Sequence, residues 1–332
     1  MVLKVGFTYD SKNEYPENTD DIPDKYAEFD SEETIQHIES ALKSGGYEVI
    51  RIGHARNLLD RIRSGEKWDI IFNICEGLGG RNRESQVPAI LDLFNIPYSG
   101  SDALTMGLTL DKVMAKKIIE YHKLSTPKFL CINSMAELTP ENLTLKFPLI
   151  IKLLHEGTSK GLSKESLVQN FKQLKERVDW TMETFKQPVL IEEFITGYEF
   201  TVAVVGNDPP EILPPVQISI YGKMDVGEDF YIRSMVESSD AIKYICPAKI
   251  DKKLEKKICD FTSKAYKILG CRDFGRFDFR VDYNNNPYFI ECNPLPNLGM
   301  LDVFPLVAKA TGRTYEQLIC LILESALIGV RP

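Results

Sequence analysis

The stretch Cys271 to Asn293, CRDFGRFDFRVDYNNNPYFIECN, leaves little freedom in how this chain can fold. Phe277, Phe279 and Val281 alternate with Arg276, Asp278, Arg280 and Asp282, the period of a strand with one buried and one polar face. Asn284-Asn285-Asn286 is a turn signal, and the apolar residues after it return as a second strand. If Asp282 pairs with Pro287, an antiparallel register sets Asp278 opposite Glu291 and Arg276 opposite Asn293. Two carboxylates directly across a sheet repel. A divalent cation between them removes that cost, and oxygen donors from Asp278, Glu291 and Asn293, completed by phosphate oxygens, suit Mg2+. Arg276 would lie beside the ion, where a phosphate or a developing oxyanion could use it. A solvated sheet face with an Arg–Asp ladder fits the same pattern.

The segment before residue 100 has a different rhythm. LKVGFTYD, YEVIRI and WDIIFNI read as strands, and EETIQHIESALKS, NLLDRIRSG and ESQVPAILDLFN as the helices between and after them. Strands alternating with helices predict a parallel sheet covered on both faces. Ligands in such sheets bind at the carboxyl ends of strands, which here carry Thr8-Tyr9-Asp10 and Asn73-Ile74-Cys75-Glu76-Gly77. From 101 to 189 the pattern is α+β: the helix LDKVMAKKIIEYHK, the strands PKFLCI and FPLIIKLL, a polar loop HEGTSKG, and a long helix KESLVQNFKQLKERVDWTMETF. From 190 to 332 come the strands around Thr196-Gly197, VQISIYGK, the polar stretch MDVGEDFYIRSMVESSD, the helix DKKLEKKICDFTSKAYKILG, the hairpin and a last helix YEQLICLILESAL. A length of 332 residues accommodates two or three such domains.

Composition excludes several classes. The net charge of −8 argues against a nucleic-acid binder. The seven cysteines are scattered with no C-x-x-C pair, so neither a zinc site nor a disulfide framework is indicated. The N-terminus reads directly as a strand, without the n-region of a signal peptide. No apolar run approaches the roughly 20 residues of a membrane span. A cytoplasmic protein is the expectation.

Other residues point the same way as the hairpin. Lys152 interrupts the apolar run FPLIIKLL, and a buried lysine needs a partner, for which a phosphate is suited. Lys112 stands in LTLDKVMAKK, either toward a phosphate or as a solvated helix lysine. HEGTSKG holds two glycines, two hydroxyls and a lysine, and can close over a phosphate through free N–H groups or be a plain turn; its spacing is not that of a Walker loop. Glu192 and Glu193 lie on LIEEFI, a strand that could offer backbone groups to an adenine ring, or whose two glutamates could be an edge-strand charge pair.

The order of these pieces resembles the ATP-grasp superfamily, with a Rossmann-like parallel-sheet domain ahead of the ATP-grasp unit. Within it, IPYSGSDALTMGLTLDK, FPLIIKLLHEGTSKGLSK, LIEEFITGYEFTVAVVG, KYICPAKI, GCRDFGRFDFRVD and FIECNPLPNLGM are similar to the D-alanine–D-alanine ligase family. The resemblance implies that Lys112 and Lys152 contact ATP phosphates. It implies that Glu192, Phe194 and Ile195 hold adenine with Glu193 beside them, that Glu199 holds the ribose, and that Thr158 and Ser159 belong to a loop closing over the phosphates. Asp278, Glu291 and Asn293 would bind two Mg2+ ions, Mn2+ being an acceptable substitute, and Arg276 and the Gly299 backbone would stabilise a tetrahedral intermediate. The implied chemistry is ATP-dependent joining of a small carboxylate and an amine through an acyl phosphate. Dimers are common in the family.

The chain departs from the family where the substrates would sit. Thr8-Tyr9-Asp10-Ser11-Lys12 and an acidic insertion through Phe29 replace the Gly-Gly-x-Ser-x-Glu loop. CEGLGGRNRES replaces a His-Gly. Val236-Glu237 stands where a mobile loop supplies Lys-Tyr, with Arg233 and Lys243 near. Leu301-Asp302-Val303-Phe304 replaces the Ser/His residues for the second substrate. The ATP half is therefore expected to be kept and the substrate half-sites rewritten, with DKYAEFD and Arg81-Asn82-Arg83-Glu84 as candidate contacts. An unassigned amino acid or peptide, D-alanine itself, and a weakly catalytic ATP-binding protein all remain readings of the sequence.

Overall fold

The computed structural model describes residues 2–15, 26, 28–232, 235 and 241–329. The chain opens with β1 (Lys4–Tyr9), α1 (Glu32–Ser44), β2 (Glu48–Gly53), α2 (Ala55–Arg63), β3 (Ile70–Ile74) and α3 (Gln86–Leu93). The strands form a parallel sheet in the order β2-β1-β3. Every residue of β3 is buried, as a parallel strand between two helical layers must be. α1 starts at its Ser31 cap and packs Ile35, Ile38 and Leu42 on one face of the sheet. Leu58 of α2 and Leu91 of α3 cover the other face with Trp68.

The central unit begins with α4 (Ala103–Leu110) and α5 (Lys112–Tyr121). The expected single helix starts two residues late because Asp111 leaves helical geometry and caps α5 through Met114 N–H at 3.1 Å. β4 (Phe129–Ile132), β5 (Leu149–Leu153), β6 (Leu167–Val168) and β7 (Val189–Glu193) form an antiparallel sheet in the order β4-β7-β5-β6. The long helix expected from Lys164 begins instead as α6 (Phe171–Phe185), capped by Asn170. Leu167 and Val168 are taken by pairing with β5, since burying Val168 beside Leu149 is worth more than one further helical turn. β7 is an inner strand, so an edge-strand charge pair is not what Glu192 and Glu193 form.

The third sheet runs β11-β10-β8-β12-β13, with β9 on β8. It is built from β8 (Tyr198–Val205), β9 (Glu211–Ile212), β10 (Val216–Ile220), β11 (Ile242–Ile245), β12 (Phe274–Val281) and β13 (Pro287–Asn293). α7 (Lys252–Leu269) lays Leu254, Ile258, Phe261 and Ala265 against Phe277, Phe279 and Phe289. α8 (Val303–Ala310) and α9 (Tyr315–Ile328) then return to the first sheet, where Leu318, Ile319 and Ile322 share a core with α1.

The hairpin premise is off by one: Val281, not Asp282, opposes Pro287. A bulge between Asp278 and Phe279 leaves Ile290 unmatched and restores the frame. Beyond it Asp278 opposes Glu291 and Arg276 opposes Asn293.

The β7–β8 turn depends on Gly197, whose φ of +133° suits only glycine and whose missing Cβ would stand 2.3 Å from Val281 O. Gly197→Ala is expected to lower unfolding free energy by about 1–3 kcal/mol, measured as a urea midpoint shift; an unchanged midpoint would show that the turn has room.

Candidate active site

A cavity of about 970 Å³ lies where the three sheets meet, and the residues assigned above to the nucleotide, metal and oxyanion positions all line it. Its floor is charged and buried. Glu192 on β7 is 1% exposed and sits between two lysines, Lys116 Nζ at 2.5 Å and Lys152 Nζ at 2.8 Å. Burial opposes ionisation of Glu192, but the two ammonium groups outweigh it and hold the carboxyl at about 2. Burial and the neighbouring Lys152 pull Lys116 down more than Glu192 and Glu291 lift it, whereas Lys152, lifted by Glu192, Glu291 and Glu199, ends raised. Lys116 Nζ further reaches Thr126 Oγ1 at 3.0 Å and Phe289 O at 3.3 Å. The sequence reading missed Lys116; its one signal is a lysine on the apolar side of α5, one turn after Lys112.

The hairpin supplies the next layer. Asp278 accepts from Arg276 Nε and Nη2 at 3.2 Å each, from Thr201 Oγ1 at 2.6 Å and from Asn293 Nδ2 at 3.0 Å. Across the strand pair, Glu291 lies 3.3 Å from Lys112 Nζ, which also donates to Glu156 O. Burial opposes the Glu291 charge, and Lys112, Lys152 and Arg276 together still bring its pKa down. Arg276 and Asp278 pair as an Arg–Asp ladder would, and Lys112 and Thr201 join them on a face that lines the cavity. Arg276 also faces Asp302, 3.6 Å away at the N-cap of α8. Gly299 N–H is engaged by its neighbour Asn297 Oδ1 at 2.6 Å.

A second arginine organises the far end. Arg280 donates to Ile195 O at 2.9 Å and Glu199 Oε2 at 3.0 Å, and lies 4.7 Å from the centre of the Phe194 ring. Burial raises the Glu199 pKa despite that arginine. Glu193, at the cavity's border, accepts from Lys146 N–H at 3.0 Å. In the HEGTSKG loop, Thr158 and Ser159 have φ of 49° and 52°, a left-handed conformation unusual for such residues and typical of strained functional loops.

At the first sheet the expected strand ends divide. Thr8, Asp10 and Asn73 are buried structural groups: Asp10 accepts from Tyr15 Oη at 2.5 Å and from Gly77 N–H at 2.8 Å. Lys12 and Glu76 do line the cavity. So do Glu28 and Glu84 from the two candidate contact segments, while Arg81 is turned to Asp111 at 2.9 Å. Glu28 bonds Gly157 N–H at 2.6 Å, tying the insertion to the small-residue loop. Asp24, Lys25, Ala27, Arg233, Val236 and Glu237 lie outside the described residues; Lys243 is on β11.

The fold has solved counterparts. The D-alanine–D-alanine ligase of Bacillus anthracis complexed with ATP matches with a TM-score of 0.77 over 99% of each chain, at 22% identity. The VanG D-Ala:D-Ser ligase of Enterococcus faecalis gives 0.76 over 98% of this chain and 100% of its own, at 21% identity. At such identity the likeness is one of fold, and the fold is ATP-grasp behind a parallel-sheet domain. Sequence carries the assignment further. The family model described as the D-ala D-ala ligase C-terminus matches residues 118–324. The D-alanine–D-alanine ligase of Carboxydothermus hydrogenoformans is 33% identical over 296 residues, 87% of this chain and 91% of its own. The chain belongs to the D-alanine–D-alanine ligase family and is an ATP-dependent ligase of that kind.

Replacing Glu192 would strand two buried ammonium groups. Glu192→Gln should cost about 3–5 kcal/mol of stability at neutral pH. With a folded pKa of about 2 against an unfolded value near 4.3, the wild-type contribution is complete above the unfolded value and is lost as pH falls toward the folded one. The variant should therefore lose less stability between pH ~4.3 and ~2 than the wild type, read from urea midpoints; parallel acid profiles would contradict the buried ion pairs.

Proposed function

We propose that the protein activates a small carboxylate with ATP and joins it to an amine, forming an amide through an acyl phosphate, with amino acids or short peptides as substrates. The observation that carries this is the convergence, in one cavity, of a lysine-rich phosphate end and an Asp–Glu–Asn oxygen set.

The residues fit a hard cation. Asp278 and Glu291 are direct cross-strand partners of like charge, and with the Asn293 amide oxygen they form the donor set Mg2+ prefers. When bound, the ion neutralises charge on the transferring phosphoryl group. Lys112 and Lys152 each keep ammonium donors free for phosphate oxygens beyond their present carboxylate. Phe194 and Ile195 border the adenine position with Glu199 at the ribose, and Arg280 fixes all three. The Thr158–Ser159 loop covers the phosphates and keeps water from the acyl phosphate. Arg276, held flat by two bonds to Asp278, presents a cation to the tetrahedral oxyanion. Gly299 N–H joins it only when Asn297 releases it.

We further propose three functional units, 1–100, 101–189 and 190–332, with β7 attached to the central one. The reaction belongs in the cytoplasm, where ATP is at hand. No helix among the described residues is long and apolar enough to cross a membrane.

Glu291→Gln keeps size and shape but weakens the oxygen set. It should reduce ATP-dependent phosphate release by roughly a hundredfold or more, with the far-UV spectrum and melting profile of the wild type. Turnover within a few fold of wild type would remove Glu291 from the chemistry.

A further inference from the structure

The end of the cavity nearest the first sheet carries an excess of negative charge that the proposed reaction of ATP does not use. Arg83 is 6% exposed and lies beneath three glutamates: Glu28 Oε2 at 2.7 Å, Glu84 Oε1 at 3.2 Å and Glu76 Oε2 at 3.3 Å. The three carboxylates line the cavity and the arginine does not, so the wall shows its anions to the ligand and keeps its cation behind. Asp30 adds a fourth. It is 9% exposed, lines the same wall, and has no side-chain hydrogen bond or ion pair among the described residues. A carboxylate so placed, with no pairing group among the described residues, is costly unless a ligand completes it. The only lysine on this wall, Lys12, is exposed and makes no ion pair among the described residues.

We propose that this wall binds a substrate carrying a cationic side chain, an ammonium or guanidinium group in addition to any α-amino group, and that Asp30, Glu28, Glu76 and Glu84 select for it. The inference rests on the ligase reading of the cavity.

Three further observations narrow the ligand. Arg83 already sits among Glu28, Glu76 and Glu84, so a bare divalent cation placed there would meet a like charge. A phosphate or carboxylate is excluded by the sign of the wall. Among the described residues four carboxylates face one arginine and one lysine, so a single α-ammonium group would still leave one formal charge for a second cationic group to meet. The strain already shows in the acids themselves. Burial and neighbouring carboxylates push Asp30 and Glu84 each up to about 7 and raise Glu76 as well, against the pull of Lys12 and Arg83. A bound organic cation would relieve that repulsion. The wall also lies close to the chemistry, because Glu84 feels the charge of Lys112, which pairs with Glu291.

The test compares shape-matched substrates: arginine against citrulline, and lysine against norleucine, in both chiral forms, singly and with an amine acceptor, following phosphate release from ATP with Mg2+. The cationic member should be preferred in kcat/KM by on the order of tenfold or more, the discrimination that a charged hydrogen bond supplies. Asp30→Asn and Glu84→Gln should each reduce that ratio; both residues lie in or beside the Arg83 cluster, so the wild-type ratio stands as the primary measurement. Equal or better use of citrulline and norleucine overturns the inference and leaves the ligase reading intact. No phosphate release with any of the four, or with neutral amino acids such as D-alanine, overturns the ligase reading and this inference with it.

Discussion

The buried ion pairs of Glu192 with Lys116 and Lys152 hold the two ATP-grasp sheets in one relation to each other. Glu192 comes from β7, Lys152 from β5 and Lys116 from α5, and Lys116 reaches on to Phe289 O of β13. Thr126 Oγ1 bonds the same carbonyl at 2.8 Å. A charge this deep is tolerated only when its neighbours satisfy it, so these elements cannot separate without exposing an unpaired ion. The geometry of the cavity follows. With α5 fixed by Lys116, Lys112 at its first turn is held beside Glu291, and with β5 fixed by Glu192, Lys152 is held at the cavity floor.

The hairpin uses like-charge repulsion in the same way. Asp278 and Glu291 could avoid each other by a one-residue slip, but that would turn Phe277 and Phe279, both fully buried, to the polar face. Burial of those rings against α7 therefore keeps the two acids opposed, and the bulge at Ile290 accommodates the mismatch in the turn. The apolar face decides the register, and the polar face inherits it. The first sheet then adds the acidic wall, delivered by an insertion whose Glu28 grips the Gly157 loop and by the loop after β3.

Much of this was legible from residues. The 3.6 and 2.0 periods marked the main helices and strands, because one-sided burial imposes those periods. Asp278, Glu291 and Asn293 were legible because polar residues in an apolar strand pattern are unusual, and Lys152 for the same reason. α8 and the split between α4 and α5 were not, since a short apolar helix has no distinct period and Asp111 looks like any polar residue until it is seen capping. Leu167 and Val168 look helical in sequence; only β5 beside them makes them a strand. The roles of Lys116, Arg280 and Arg83 were hidden because long side chains act at a distance from where the backbone places them.

The sequence alone determined the order of sheets, the antiparallel hairpin with its carboxylates, the family, and the places where the substrate ends depart from it, because local periodicity and short motifs need only neighbouring residues. Tertiary structure decided which charges meet. Asp10, at the end of a strand where ligands often bind, was turned into a structural brace for Gly77, while Asp30, within an unremarkable acidic insertion, was left facing the cavity without a partner. Both are aspartates in similar local sequence, and the difference holds among the described residues. Whether a carboxylate is satisfied depends on donors that arrive from remote parts of the chain, and only the folded arrangement fixes those.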